Sequence, residues 1–253
     1  MKVVFLGVGE AFDENIPNTS VLVSSNKTNL LLDCGYSTPT QLWRYNPDKD
    51  FLDAIYITHC HADHYFGLPA VLVRMWEDGR KKPLRLICQK GFRKTIEDML
   101  KIAYPGFSKK FEFETSYVEV SSGENLRLNE LILSFAPTTH SLSNLAIKVS
   151  DGEHSFCYSG DGMFNQETER LYKGSDLVIQ ETYLLDEERI GHANIMQLIE
   201  MAKRRNVKCV ALTHLNRNFR RKDIKRINGI IRENSSEGLK ILFPNPFDEY
   251  NLD

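Results

Sequence analysis

The stretch Thr58-His59-Cys60-His61-Ala62-Asp63-His64 constrains this chain more than any other part of it. It sets three imidazoles and a carboxylate within six residues, directly behind the apolar run Ala54-Ile55-Tyr56-Ile57. A lone histidine is an ordinary core or surface residue, but a cluster this dense reads as a metal site. At a strand end, His59 and His61 point to the same side, because alternate residues share a face. Asp63 and His64 follow after the chain has left the strand and can turn back toward a second ion. The spacing therefore predicts two metals.

A chain of 253 residues can bury a substantial core. No linker or low-complexity segment divides it, so residues 1–253 are expected to form a single domain. The formal net charge of −2 gives no global attraction to nucleic acid or an anionic membrane, and any polyanion site must be local. Five scattered cysteines (Cys34, Cys60, Cys88, Cys157 and Cys209) contain no C-x-x-C pair. That pattern argues against a disulfide framework or a structural zinc knuckle, and for neutral thiols in a reducing compartment. The opening Met1 to Leu6 runs straight into a strand without an h-region or a small-residue cleavage site. The protein therefore reads as cytoplasmic.

Residues 2–6, 21–23 and 29–33 are short apolar runs between polar turns, an opening of consecutive strands. Gly7-Val8-Gly9 lacks both the G-K-S/T ending and a full dinucleotide fingerprint, so a turn beside the site is expected rather than a phosphate cradle. Asp33, closing the Leu30–Leu32 strand, either caps a turn or orients a metal-bound histidine from behind. Helices are expected at 38–46, 67–76, 91–103, 164–172, 194–205 and 221–233. Further strands are expected at 84–88, 111–120, 125–128, 131–136, 144–149, 154–159, 176–180, 208–212 and 239–243. Each half passes from a strand series into strand–helix alternation, a pattern that two stacked sheets with helices outside would satisfy.

Three of these strands lead to further donors: 131–136 to His140, 154–159 to Asp161 and 208–212 to His214. His59, His61, Asp63, His64, His140, Asp161 and His214 are donor types that suit zinc, with manganese second. With two divalent ions, a bridging water can be deprotonated near neutral pH and attack, while both ions stabilise the developing oxyanion. A mononuclear oxygenase triad would leave most of these donors surplus.

In this order the motifs resemble those of the metallo-β-lactamase superfamily, whose H-x-H-x-D-H signature stands here as His59-Cys60-His61-Ala62-Asp63-His64. His140, Asp161 in its Ser-Gly-Asp context, His214 and the earlier Asp33 match the remaining motifs, across nearly the whole chain. The resemblance implies an α/β (α+β) fold, the αββα sandwich of two mixed sheets flanked by helices. It also implies that His59, His61 and His140 hold one metal, that Asp63, His64 and His214 hold the other, and that Asp161 bridges.

Within the superfamily the chain is similar to the ribonuclease Z group. The similarity lies in Phe5 to Phe12 followed by Asn18-Thr19-Ser20, and in Glu181-Thr182-Tyr183 with Gly191-His192-Ala193-Asn194. It implies that His192 contacts the scissile phosphate or protonates the leaving oxygen; the alternative is a residue that merely opens the helix at 194. Asp63 is a candidate base as well as a ligand. Homodimers are common in that group, which implies a homodimer here. The chain departs from the group in lacking a Gly-rich basic arm: only a hairpin separates Ser141 from Gly160. After His214 the sequence Leu215-Asn216-Arg217-Asn218-Phe219 matches the group's Phe-Ser-x-Arg-Tyr continuation only loosely.

The expected activity is that of a metal-dependent phosphodiesterase hydrolysing a small phosphodiester, a cyclic nucleotide or a short nucleic-acid end, by a metal-bridging hydroxide. The alternatives are tRNA 3′-end processing without the arm, thioester or lactone hydrolysis at the same site, and a metal-binding accessory protein that kept the fold. Residues 104–111, aromatics interleaved with lysines, either face the substrate or pack their own rings. The basic run from Arg217 to Arg226 either meets nucleic-acid phosphates or is a solvated helical face.

Overall fold

Short apolar runs such as Ala54–Ile57 and Cys209–Thr213 are buried at every position, because sheet neighbours flank them and other layers cover both their faces. A computed structural model describes residues 1–252. Its first sheet contains β1 (Lys2–Gly7), β2 (Ser20–Ser24), β3 (Asn29–Leu32), β4 (Ala54–Ile57), β5 (Leu84–Gln89) and β6 (Thr115–Val120) in that order. The second contains β7 (Asn125–Leu128), β8 (Leu131–Pro137), β9 (Leu145–Ser150), β10 (Ser155–Tyr158), β11 (Leu177–Glu181), β12 (Cys209–Thr213) and β13 (Lys240–Leu242), also in order. The last strand, β14 (Glu249–Asn251), returns to pair antiparallel with β1 and complete the first sheet. Both sheets are mixed: β1 to β3 and β7 to β10 are antiparallel, whereas β3 to β6 and β10 to β13 are parallel.

Alternation along each strand divides the core. Val3 and Phe5 of β1 point between the sheets, where they join Leu32, Tyr56, Phe135, Phe156 and Ile179. Val4 and Leu6 point outward, under α1 (Thr38–Tyr45), α3 (Leu68–Glu77) and α4 (Arg93–Ala103). On the far side α5 (Gln166–Tyr172), α6 (Ile195–Arg205) and α8 (Ile224–Asn234) cover Val178, Val210 and Leu212. This is the αββα sandwich, and its inner strands end where the candidate site lies.

Several element boundaries differ from expectation. The helix expected at 221–233 is two helices, α7 (Arg217–Lys222) and α8, joined at Asp223. The strand expected from 111 begins at Thr115, because Phe107–Lys110 form a 3-10 turn. In that turn Phe107 packs on Trp76 and Tyr104 at 5.3 and 5.6 Å, and Lys110 Nζ lies 4.5 Å from the Phe107 ring centre. The aromatic–lysine segment thus packs its own rings. Half of the basic run is ion-paired within the chain: Arg217 with Glu10, Arg221 with Glu14 and Arg226 with Asp186. Strand β14 was not expected, since three residues with one apolar side chain give no alternation to read. Between His140 and Asp161 the chain makes only the β9–β10 hairpin. No described helix is long and apolar enough to cross a membrane.

Candidate metal centre

Strand β4 stops at Ile57, so His59 and His61 lie in the loop beyond it, and the turn rather than strand alternation makes them converge. Their facing nitrogens, His59 Nε2 and His61 Nδ1, are 3.1 Å apart. His140, beyond β8, brings its Nε2 to 3.2 Å from the same His61 atom. Asp63 and His64 sit on the single-turn helix α2 (Ala62–Tyr65), and His214 follows β12. Asp161 lies between the two sets. Its Oδ2 is 3.7 Å from His59 Nε2 and 3.9 Å from His140 Nε2, while Oδ1 is 3.2 Å from His64 Nε2 and 3.5 Å from His214 Nε2. Asp63 Oδ2 is 3.3 Å from the Nε2 atoms of both His64 and His214. The donors form two groups that share Asp161, and the ligand atoms within each lie inside 4.8 Å of one another.

The residues present fit a pair of divalent ions. His64 Nε2 and Asp161 Oδ1 are buried and approach closely, yet neither has a hydrogen-bond partner. Buried polar atoms are seldom left unmet, and here both point where an ion would be bound. Cys60 belongs to neither donor group, and burial, with Asp33 adding to it, pushes its thiol up to about 12.

Asp33 works from behind the site. It is fully buried and held at a φ of 59° in the left-handed region, a strained position of the kind found at functional sites. Its Oδ2 accepts from His64 Nδ1 at 2.7 Å and from the Tyr158 hydroxyl at 2.8 Å, and its Oδ1 accepts from the Thr58 N–H at 2.8 Å. These bonds fix the His64 tautomer with Nε2 facing the donor group. Asp33→Asn should lower metal affinity about 10- to 100-fold while the fold persists, measurable by competition with a chelating indicator. Unchanged affinity would reduce Asp33 to a turn cap. Close packing holds the loops together: a Cβ on Gly35 would lie 1.9 Å from the Asp63 carbonyl oxygen, and one on Gly160 2.5 Å from Asn144 Oδ1. His214 also has positive φ, 56°, and its N–H donates to the Val8 carbonyl at 2.9 Å. This places Gly7-Val8-Gly9 beside the site, not as the expected turn but as an extended continuation of β1 in which Gly9 bridges to Asn18 and Leu215.

Charges in the metal-free centre are strongly biased. Burial works against a charged His64, but Asp161, Asp33 and Asp63 raise its imidazole well above the ordinary range. Burial likewise opposes a charged His214, but Asp161 and Asp63 bring it to about 9. Burial holds His59 well below the ordinary range, so it is neutral. At neutral pH the metal-free site therefore carries protons on His64 and His214, and a metal must expel them. Affinity should rise with pH through the neutral range, the His214 part of the rise ending at about 9, with about two protons released as the site fills at neutral pH. Calorimetry in buffers of different ionisation enthalpy measures the release, and the absence of any release would contradict this charge assignment.

His192 lies beside these donors, not in the helix that follows: Asn194 caps α6, and its side chain accepts from the Gln197 N–H. Its Nδ1 is 2.8 Å from Glu181 Oε1, while Glu181 Oε2 accepts from the Ala193 N–H at 3.1 Å. Glu181 is fully buried at the end of β11, so it selects the Nδ1–H tautomer and leaves Nε2 free. The His192 ring stands edge-on to His140 at 5.7 Å and tilts over Tyr183 at 4.7 Å. The Gly191 carbonyl also contacts His140 Nδ1 at 3.3 Å. Sequence reasoning gave Glu181 no role; the available signal was a carboxylate ending a buried strand eleven residues before His192. A cleft of about 400 Å³ opens above, bordered by His61, Asp63, His140, His192 and His214.

Comparison with known proteins agrees with this arrangement. The family described as anti-Pycsar protein Apyc1 matches residues 1–233. Ribonuclease Z of Methanothermobacter thermautotrophicus is 26% identical over 88% of this chain and 89% of its own length. The crystal structure of the metallo-β-lactamase fold protein YhfI from Bacillus subtilis superposes with a TM-score of 0.80 at 22% identity, covering 98% of each chain. That of the human short-form tRNase Z gives 0.81 at 21%, covering 100% of each. At such identities the likeness of the solved structures is one of fold, whereas the family match runs through every donor of both groups: the chain has the metallo-β-lactamase fold and belongs to the anti-Pycsar protein Apyc1 family.

Proposed function

We propose that this chain is a metal-dependent phosphodiesterase acting on a small phosphodiester, with a cyclic nucleotide as the foremost candidate. The observation that carries the reading is His192, anchored by the buried Glu181 next to the shared donor groups. Bound divalent ions supply Lewis acidity toward phosphoryl oxygens and a water acidic enough to attack near neutral pH. Burial opposes ionisation of Asp63, but His64 and His214 keep it far below the usual carboxylate range, so it is ionised and available as a ligand. His192 Nε2 donates a proton to the leaving oxygen, and Glu181 stabilises the charged imidazole that precedes the transfer. The cleft of about 400 Å³ lies within the range of small-ligand sites.

A second reading, tRNA 3′-end processing, draws on the ribonuclease Z name of the archaeal relative, but this chain has only the β9–β10 hairpin where that group carries its arm. The discriminating assay offers metal-loaded protein cyclic nucleotides, bis-p-nitrophenyl phosphate, a precursor tRNA, and a thioester and lactone panel. Hydrolysis of the cyclic nucleotides is expected. Cleavage of the precursor alone would overturn the small-substrate reading, and activity confined to the acyl esters would overturn phosphodiester chemistry altogether. Mixed imidazole and carboxylate donors favour zinc over manganese, a preference that elemental analysis of protein purified without added metal tests. The proposal is completed by a cytoplasmic homodimer, for which sedimentation should give twice the 29.1 kDa chain mass.

A further inference from the structure

Resting on the phosphodiesterase reading, we infer that Phe12 and Tyr36 are the platform on which the substrate's nucleobase stacks. Both border the cleft that contains the donor groups, and both leave aromatic surface in solvent, 74% for Phe12 and 51% for Tyr36. A planar base placed in this cleft would gain from the exposed faces of both rings.

Neither ring is loosely placed. The Phe12 N–H donates to Glu10 Oε2 at 3.0 Å, and Glu10 is almost fully buried and ion-paired with Arg217. The Arg217 guanidinium lies 5.9 Å from the centre of the Phe12 ring. The Tyr36 hydroxyl donates to the carbonyl of Ala11, the neighbour of Phe12, and so ties the two segments together. Tyr36 also follows Gly35, whose missing side chain lets its backbone pack against the Asp63 carbonyl. The aromatic pair is thereby registered to a metal donor through one residue. Such preorganisation is what a small ligand needs if stacking is to add affinity rather than be spent on ordering loops.

The chemistry at the two ends of the cleft selects the ligand class. The donor cluster and His192 receive an anionic diester, and Phe12 and Tyr36 offer flat apolar faces. A molecule with a phosphodiester at one end and a planar heterocycle at the other is a mononucleotide diester. An aliphatic acyl ester would also gain apolar contact here, but it would not need a ring, and that difference makes the inference testable.

The experiment measures wild type, Phe12→Ala, Phe12→Leu, Phe12→Tyr and Tyr36→Ala, all metal-loaded, on a cyclic nucleotide and on the base-free cyclic phosphodiester of 1-O-methylribose, followed by phosphorus NMR. Wild type should prefer the nucleotide. In Phe12→Ala and Tyr36→Ala that preference in kcat/KM should fall about 10-fold, mostly through KM. Phe12→Tyr should retain it and Phe12→Leu should not, because leucine keeps apolar area without a π-face. An unchanged preference in both alanine variants, or full retention by Phe12→Leu, would overturn the platform while leaving the phosphodiesterase reading intact. If wild type hydrolysed neither diester, that reading would fall and the inference with it. Circular dichroism and metal content serve as controls, so that a loss of metal on breaking the Tyr36–Ala11 tie is told apart from a loss of stacking.

Discussion

Replacing His192 with alanine should lower kcat on a cyclic nucleotide by about 100-fold or more, with metal content unchanged. The size of the loss follows from the role: a sugar alkoxide is a poor leaving group, and without Nε2 it must depart unprotonated. The partnership with Glu181 makes the claim sharper than a simple knockout. Glu181→Gln keeps the size of the residue and can still accept from the Ala193 N–H, but it removes the charge 2.8 Å from His192 Nδ1. Its defect should be smaller than that of His192→Ala, because Nε2 remains in place while the charge that supports it is lost. Leaving-group dependence supplies the decisive contrast. Bis-p-nitrophenyl phosphate expels an anion that needs little protonation, so His192→Ala should lose far less on it than on the nucleotide. Equal losses on both substrates would mean that His192 only shapes the cleft.

The two parts of this active site were not equally legible in the sequence. The donors could be found because imidazoles and carboxylates are conspicuous when they follow apolar runs: His140, Asp161 and His214 each come shortly after a strand whose burial reads directly from its composition. The sandwich was readable for the same reason, since continuous runs such as Ala54–Ile57 announce strands covered on both faces. Residues that act through a partner were harder to see. Asp33 could not be told from a turn cap until its carboxylate was placed between Thr58, His64 and Tyr158, the last of them 125 positions away. Glu181 acquires meaning only when the chain folds back to set His192 against it. Phe12 and Tyr36 are ordinary aromatics until the Ala11 carbonyl joins their loops. Short terminal pairings such as β14, and a helix broken at Asp223, carry too few residues for periodicity to register.

The metal centre should fail as a unit when Asp161 is changed, and in part when a single-group ligand is changed. Asp161 is the one carboxylate that offers an oxygen to each donor group, Oδ2 toward His59 and His140 and Oδ1 toward His64 and His214. Asp161→Ala should therefore leave less than one metal equivalent after dialysis and reduce diesterase activity by about 1,000-fold or more, whereas His140→Ala should retain one equivalent in the group formed by Asp63, His64 and His214. The same change alters the protons of the metal-free site. Asp161 favours charge on both His64 and His214, so in Asp161→Ala both imidazoles titrate lower. Any metal that binds should then release fewer protons at neutral pH than in wild type. Loss of metal without that change in proton release would point to damage elsewhere in the fold, while loss of both together ties the charge balance and the shared coordination to one side chain.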